Sequence, residues 1–207
     1  MIALNLRIDG NPAFGKLLNP FSGFYNLGED SKDLHLPSQL LIEELEGDVD
    51  IYFDERRIPH IFAQNEQDLY FAQGYVVASL RLWQMEFQVL AAEGRIAELI
   101  GPGENDKFVK FDKKQRRLGL KLGAQNKLLV IEADPFSKNL MNQFTAGVNA
   151  YMNSVKKKDL PIEYQLMGYA PEPWSSYKTA LLLMNMSNVL TSTEYDIENS
   201  NFAIKYG

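Results

Sequence analysis

A long apolar pattern between Asn65 and Leu90 constrains the fold of this chain more than any other sequence feature. One apolar residue recurs every seven positions, at Leu69, Val76, Trp83 and Leu90. A second row with the same spacing is formed by Tyr75, Leu82 and Val89. Seven positions are close to two helical turns, so each row follows one face of a helix. Because apolar residues occupy more than one face, the sequence predicts a helix buried at the centre of the fold.

Two short segments of alternating polarity precede this helix. Val49–Phe53 and residues 58–63 flank the polar turn Asp54–Arg57, which predicts a β-hairpin over residues 49–64 with Pro59 at a strand start or edge. Glycine and proline recur through residues 1–45, which predicts an irregular lead-in. Residues 65–207 are predicted to be mainly helical, so the expected class is a mostly helical α+β fold.

Two later helices have clear start signals. Asp134 before Pro135 is typical of an N-cap followed by proline at the first helical position, and Ser175 is expected to cap the last helix. A single hairpin is marginal without a layer to pack on. The helices also carry more apolar surface than a small bundle would bury. We therefore expect residues 1–207 to need a partner chain and not to form an independent domain.

Charge and composition exclude several classes of function. The net charge is −6, with 21 Lys and Arg against 27 Asp and Glu, which argues against a nucleic-acid partner. No cysteine is present, so thiolate nucleophiles and disulfides are excluded, and the two histidines leave any metal to oxygen ligands. No run of about 18 apolar residues predicts a membrane span, and the first residues lack the pattern of a signal peptide.

Histidine and serine are the remaining candidates for catalysis in this chain. His60 is expected to be a structural hydrogen-bonding residue on a strand. Ser175, Ser176 and Ser187 lack the Gly-x-Ser-x-Gly context of a nucleophile elbow and are predicted to serve as caps or packing residues. None of these four side chains is therefore predicted to be catalytic.

The motifs of the chain resemble those of the α subunit of the penicillin acylase family, which includes penicillin, cephalosporin and acyl-homoserine-lactone acylases. The resemblance rests on an ordered run of segments: Val49 to Ile61, Asp68-Leu69, Gly74-Tyr75, Arg81 to Glu86, Gly94 to Glu98 and Gly101. Weaker support comes from Leu17 to Gly23 and Gly168 to Trp174. Two positions depart from the family pattern: Arg57 replaces a turn glycine, which suggests a turn without positive φ, and Leu80 replaces an aspartate that could partner Arg81.

The resemblance implies an N-terminal-nucleophile hydrolase with a four-layer αββα body, completed by a separate β chain from the same precursor. Autoproteolytic cleavage would follow Gly207, and the new β-chain N-terminus would be the nucleophile, with its own amino group as the base. A glycine suits a scissile position because no Cβ obstructs attack on its carbonyl. The alternative is that Gly207 is only where the sequence at hand stops.

The family alignment also implies an acyl pocket bordered by the last helix. Met186, Val189 and Leu190 would line it. Val189 and Leu190 replace an arginine and a phenylalanine of the phenylacetyl-selective members, which favours an aliphatic acyl group. The alternative is that these three residues belong to an ordinary core.

A structural Ca²⁺ between the chains is implied by the same resemblance, with Asp196 as one ligand and Glu194 or Glu198 as alternates. No organic cofactor is expected. The alternative is a solvated acidic face.

The resulting hypothesis is an α subunit of an amidase that acts on a small acylated amide, such as an acylated β-lactam nucleus or an N-acyl-homoserine lactone, in the periplasm or otherwise exported. Two alternatives remain open at this point. One is a non-catalytic scaffold or acyl-binding subunit of the same fold, and the other is a free-standing helical interaction domain.

Overall fold

The computed structural model describes residue 39, residues 41–191 and residues 196–206, without the side chains of Lys158 and Asp196. Most of the predicted lead-in, together with Glu194 and Gly207, lies outside the described residues. The elements in chain order are β1 (Val49–Phe53), β2 (Pro59–Ala63), α1 (Glu66–Glu93), α2 (Ile96–Ile100), α3 (Lys107–Arg117), α4 (Leu120–Ala133), α5 (Pro135–Ser154), α6 (Ile162–Met167), α7 (Ser176–Leu190) and α8 (Asp196–Tyr206). Single 3₁₀ turns cover Glu104–Asp106 and Lys157–Asp159. The mainly helical α+β prediction is confirmed.

The predicted hairpin is confirmed, and β1 pairs with β2 in antiparallel fashion with Ile51 opposite Ile61. Pro59 is the first residue of β2. The expectation for Arg57 was wrong, because its φ is 60°. The carboxylate of Asp54 accepts hydrogen bonds from the N–H groups of Arg56 and Ile58, and the Asp54 carbonyl accepts one from Arg57. These bonds close a three-residue loop whose last residue must adopt the left-handed backbone conformation, with positive φ.

The central helix α1 begins where the sequence predicts. The Asn65 side chain accepts a hydrogen bond from the Asp68 N–H at 2.8 Å, and the chain leaves the helix through Gly94 with φ 68°. The buried Asp68 carboxylate accepts hydrogen bonds from the N–H groups of Glu46 and Gly47, which fixes the segment before β1 against the start of α1. Arg81 interrupts the helix with φ −141° and ψ 18°, and its guanidinium lies 3.4 Å from Gln84 Oε1.

The core lies between α1 and α5, which approach closely at two glycines. A Cβ on Gly74 would collide with the carbonyl oxygen of Phe144, and a Cβ on Gly147 would collide with that of Phe71. Both collisions are with backbone, so only glycine permits this spacing. On α5, Val148 is fully buried, whereas Phe136 in the first turn is exposed.

The last part of the core is built by α4 and α7. Ala124 on α4 and Ala180 and Leu181 on α7 are fully buried. The Asn149 side chain on α5 exchanges two hydrogen bonds with the backbone of Trp174, at 2.8 and 3.0 Å, and so fixes the approach to α7. In the part of the chain that the structure describes, no helix meets the length and hydropathy needed to cross a membrane.

Candidate functional site

The C-terminal half of α7 presents the three predicted pocket residues on its surface. The side chains of Met186, Val189 and Leu190 are 55%, 69% and 75% exposed. Their spacing of three and four positions places them on one helix face. Within the described residues, these three side chains therefore lie outside the core of this chain. An apolar face of this kind can contact an acyl chain or another polypeptide, whereas it offers no group for acid–base chemistry.

The N-terminal half of α7 is, by contrast, fixed in the protein. The Ser175 side chain caps the helix, as predicted, by accepting a hydrogen bond from the Lys178 N–H. The Lys178 side chain is buried and donates to the Glu172 carbonyl oxygen at 3.1 Å. Its Nζ also lies 3.8 Å from Glu86 Oε1 and 5.7 Å from the centre of the Trp174 ring. One end of α7 is thus anchored while the other is exposed.

Glu86 is the centre of this anchor. It is only 2% exposed, and its carboxylate accepts hydrogen bonds from the Tyr164 hydroxyl at 2.6 Å and the Glu172 N–H at 2.7 Å. Burial raises the pKa of Glu86, although these two bonds and the Lys178 charge oppose the shift. A carboxylate with these partners is a structural tie between α1, α6 and the segment before α7.

Arg95 continues the same network towards solvent. Its guanidinium donates to Glu172 and to Glu93, both at 2.9 Å, and to Glu98 at 2.8 Å. The hydrogen bond from Arg95 holds the pKa of the Glu172 carboxyl below its ordinary value. Sequence reasoning missed this network, although Glu86, Arg95 and Glu172 all stand in the motif segments. The available signal for such a network was that charged residues of opposite sign occur in motif segments that are far apart in sequence.

Helix α8 carries large apolar side chains that remain exposed. Ile197 and Ile204 are 77% and 83% exposed. The rings of Phe202 and Tyr206 are also exposed, and their centres lie 4.8 Å apart. Apolar residues on several sides of one helix are typical of a helix that is buried in a larger assembly.

The predicted calcium ligands are only partly described. Glu198 is exposed on α8, Asp196 is the first residue of that helix, and Glu194 lies outside the described residues. Among the described residues, no group of three acidic or histidine side chains is placed so that it could hold a metal ion. The described residues therefore do not provide a complete ligand set by themselves.

The candidate histidine and serines are used locally. His60 lies on the exposed face of the hairpin, 3.8 Å from the Asp54 carboxylate. Ser187 donates to the Leu183 carbonyl oxygen, and the Ser176 hydroxyl lies 3.3 Å from that of Thr145. The predicted cap at Ser175 is confirmed, whereas Ser176 and the exposed Ser187 make local hydrogen bonds.

Comparison with known proteins identifies the chain's relatives. The penicillin amidase family model matches residues 48–206. Penicillin G acylase of Escherichia coli is 29% identical over 163 residues, covering 77% of this chain and 19% of that protein. The acyl-homoserine lactone acylase QuiP of Pseudomonas aeruginosa is 32% identical over 206 residues, covering 97% of this chain and 23% of that protein. The chain thus spans about a fifth of the length of these relatives.

A solved structure of similar fold is the thermostable penicillin G acylase from Alcaligenes faecalis. It superimposes with a TM-score of 0.64 at 28% identity, over 73% of this chain and 78% of that one.

Proposed function

The chain belongs to the penicillin amidase family, and from that premise we propose that it is the α subunit of a heterodimeric acylase. The proposed enzyme hydrolyses the amide between an acyl chain and a small amine, such as a β-lactam nucleus or homoserine lactone. The observation that carries this proposal is the family match across nearly all described residues. The relatives named for penicillin and for acyl-homoserine lactones support this substrate class, because both kinds of compound contain such an amide.

The proposed nucleophile is the residue that follows Gly207, at the N-terminus of a β chain from the same precursor. Its hydroxyl or thiol attacks the acyl carbonyl, the amine leaves with a proton, and water then releases the acid. The exposed apolar side chains of α7 and α8 support the proposal of a partner chain, because clusters of exposed apolar side chains often mark interaction sites.

Intact-mass analysis of protein expressed from the whole gene tests the processing. We expect two chains, with the first ending at Gly207 and the second beginning with Ser, Thr or Cys. Replacement of that next residue by alanine should abolish both cleavage and turnover. A single uncleaved species with full activity would contradict the proposal. Turnover that is flat across amides of graded acyl length and independent of the nucleophile would favour a non-catalytic scaffold or acyl-binding subunit of the same fold.

The proposed role of this chain in catalysis is to form one wall of the acyl pocket. Met186, Val189 and Leu190 would contact the acyl chain through van der Waals packing. Because Val189 and Leu190 carry aliphatic side chains, we propose a preference for aliphatic over phenylacetyl groups.

A panel of amides with graded acyl length tests this preference. Leu190→Phe should shorten the preferred acyl chain and lower kcat/KM for the longest substrates at least tenfold. Leu122→Phe, which makes the same change at an exposed leucine of α4, is the matched control. If the two variants had equal effects on kcat/KM, α7 would not line the acyl pocket.

We also propose that Asp196 contributes to a Ca²⁺ site whose remaining ligands come from the β chain, with Glu194 or Glu198 as alternates. Asp196→Asn should reduce the calcium content of the purified heterodimer, measured by elemental analysis, whereas the control Lys205→Gln on the same helix should not.

Export to the periplasm or beyond is proposed on family grounds, and cell fractionation of the whole gene product tests it.

A further inference from the structure

Helix α3 has one face that is entirely basic. Lys107, Lys110, Lys114 and Arg117 are all exposed and follow one another at spacings of three and four positions, so they share one side of the helix. Asp112 occupies the opposite side. It is buried, and its carboxylate accepts hydrogen bonds from the N–H groups of Ile96 and Ala97 at 2.9 and 2.8 Å. The orientation of α3 is thereby fixed with the basic face outwards.

Two cations of this face are not compensated by neighbouring acids. In the described ranges, Lys110 and Arg117 have no ion-pair partner. Arg116, on the side nearer Asp112, lies 3.8 Å from Glu98 and donates to the Gly94 carbonyl oxygen. The chain as a whole carries a net charge of −6. The basic face is therefore opposite in sign to the rest of the chain, as a surface for an anionic partner would be.

Exposed leucines follow directly after the basic face. Leu118 lies between α3 and α4, and Leu122 and Leu129 on α4 are 64% and 67% exposed. The buried Leu120 and Ala124 hold the other side of α4 against the core. Leu122 and Leu129 are seven positions apart and so lie one above the other on the outward side.

We propose that the surface formed by α3 and the outward leucines of α4 docks on a bilayer that contains anionic phospholipids. Lysine and arginine are attracted to the negative headgroups, and leucines enter the boundary between headgroups and acyl chains. The leucines favour lipid over a soluble polyanion, because a polyphosphate or polysaccharide chain offers them no apolar environment. The inference is independent of the acyl pocket, since none of these residues lies on α7 or α8.

Vesicle co-sedimentation of the protein expressed from the whole gene tests this inference. We expect binding to vesicles of phosphatidylcholine with 30% phosphatidylglycerol, little binding to phosphatidylcholine alone, and loss of binding in high salt. Lys110→Gln with Arg117→Gln should weaken binding about 30-fold, which is the equivalent of about 1 kcal/mol for each basic residue at an anionic surface. Lys156→Gln with Lys157→Gln removes the same charge from another exposed site and should leave binding unchanged.

A second pair of substitutions separates lipid from other anions. Leu122→Ser with Leu129→Ser should weaken vesicle binding and leave retention on a heparin column unchanged. Turnover of a soluble amide by the two charge variants and by the leucine variant should equal that of the unmodified protein. Absence of vesicle binding by the unmodified protein would overturn the inference, as would equal losses from the two charge variants. Vesicle binding that is insensitive to the leucine substitutions would assign the surface to soluble polyanions instead.

Discussion

The crossing of α1 and α5 allows a sharp test of the fold through Gly147→Ala. Gly147 faces the backbone of α1, where an added Cβ would collide with the Phe71 carbonyl oxygen and lie 3.0 Å from the Tyr75 nitrogen. Both atoms belong to the hydrogen-bonded backbone of a long helix, so neither can move aside by a rotamer change. The two helices would have to separate, and the buried contacts around Val148 would loosen.

The expected magnitude follows from two opposing effects. Alanine favours a helix interior over glycine by about 1 kcal/mol, whereas overpacking of a rigid core typically costs about 1–3 kcal/mol and more when backbone must move. Because the collision here is with backbone, we expect a net loss of at least about 2 kcal/mol. Gly123→Ala is the matched control, since its Cβ would meet only the mobile end of Met184, 2.9 Å away. That variant should be neutral or more stable by up to about 1 kcal/mol.

Thermal and urea unfolding of the protein expressed from the whole gene, followed by circular dichroism, measures the difference. We expect the Gly147→Ala midpoint to fall well below that of the unmodified protein, and the Gly123→Ala midpoint to stay level or rise. If Gly147→Ala is as stable as Gly123→Ala, the close approach of α1 and α5 is wrong.

Three further substitutions test local features. Arg57→Gly should raise stability by about 1 kcal/mol, because glycine adopts the left-handed conformation of this turn without strain, and Arg56→Gly should not; equal unfolding midpoints of the two variants would contradict this. Lys178→Met should cost about 3 kcal/mol by leaving Glu86 buried without its cation, and the double variant with Glu86→Gln should recover part of the loss; full additivity in denaturation would argue against the pair. Since the Glu172 pKa is lowered by Arg95, its ionised form stabilises the fold fully above the ordinary glutamate pKa of about 4.5, so Glu172→Gln should be less stable at pH 7, and this deficit should shrink as the pH falls through the lowered pKa; a deficit that is the same at pH 7 and at the lowest pH at which both proteins fold would refute this coupling.

Much of the fold was predictable because its signals are local. The Asn65 cap, the Asp134-Pro135 start and the Ser175 cap each depend on a side chain that bonds to backbone within three residues. The two apolar rows of α1 likewise follow from helical spacing alone. Such features require no knowledge of the rest of the chain.

Features that depend on distant contacts were not predictable in the same way. Arg57 has φ 60° because Asp54 organises the whole turn, although the side chain of Arg57 disfavours that conformation. The Glu86 network joins Glu86 to Glu172, 86 positions away, and no spacing rule brings these two residues together. The exposure of Val189 and Leu190 also depends on where α7 leaves the core, which their apolar character alone does not determine.

The two halves of α7 together explain why charged groups are buried in its anchor. Burying Lys178 and Glu86 requires removing both from water, and such pairs often add little net stability compared with apolar residues of similar size. Their geometric requirement is nevertheless strict, because Lys178 must meet Glu86 and the Glu172 carbonyl together. An apolar anchor would tolerate sliding of α7 along its neighbours, whereas this network does not. Since the exposed face at Met186, Val189 and Leu190 lies two to three turns further along the same helix, an ionic anchor defines the position of that face more narrowly than packing alone could.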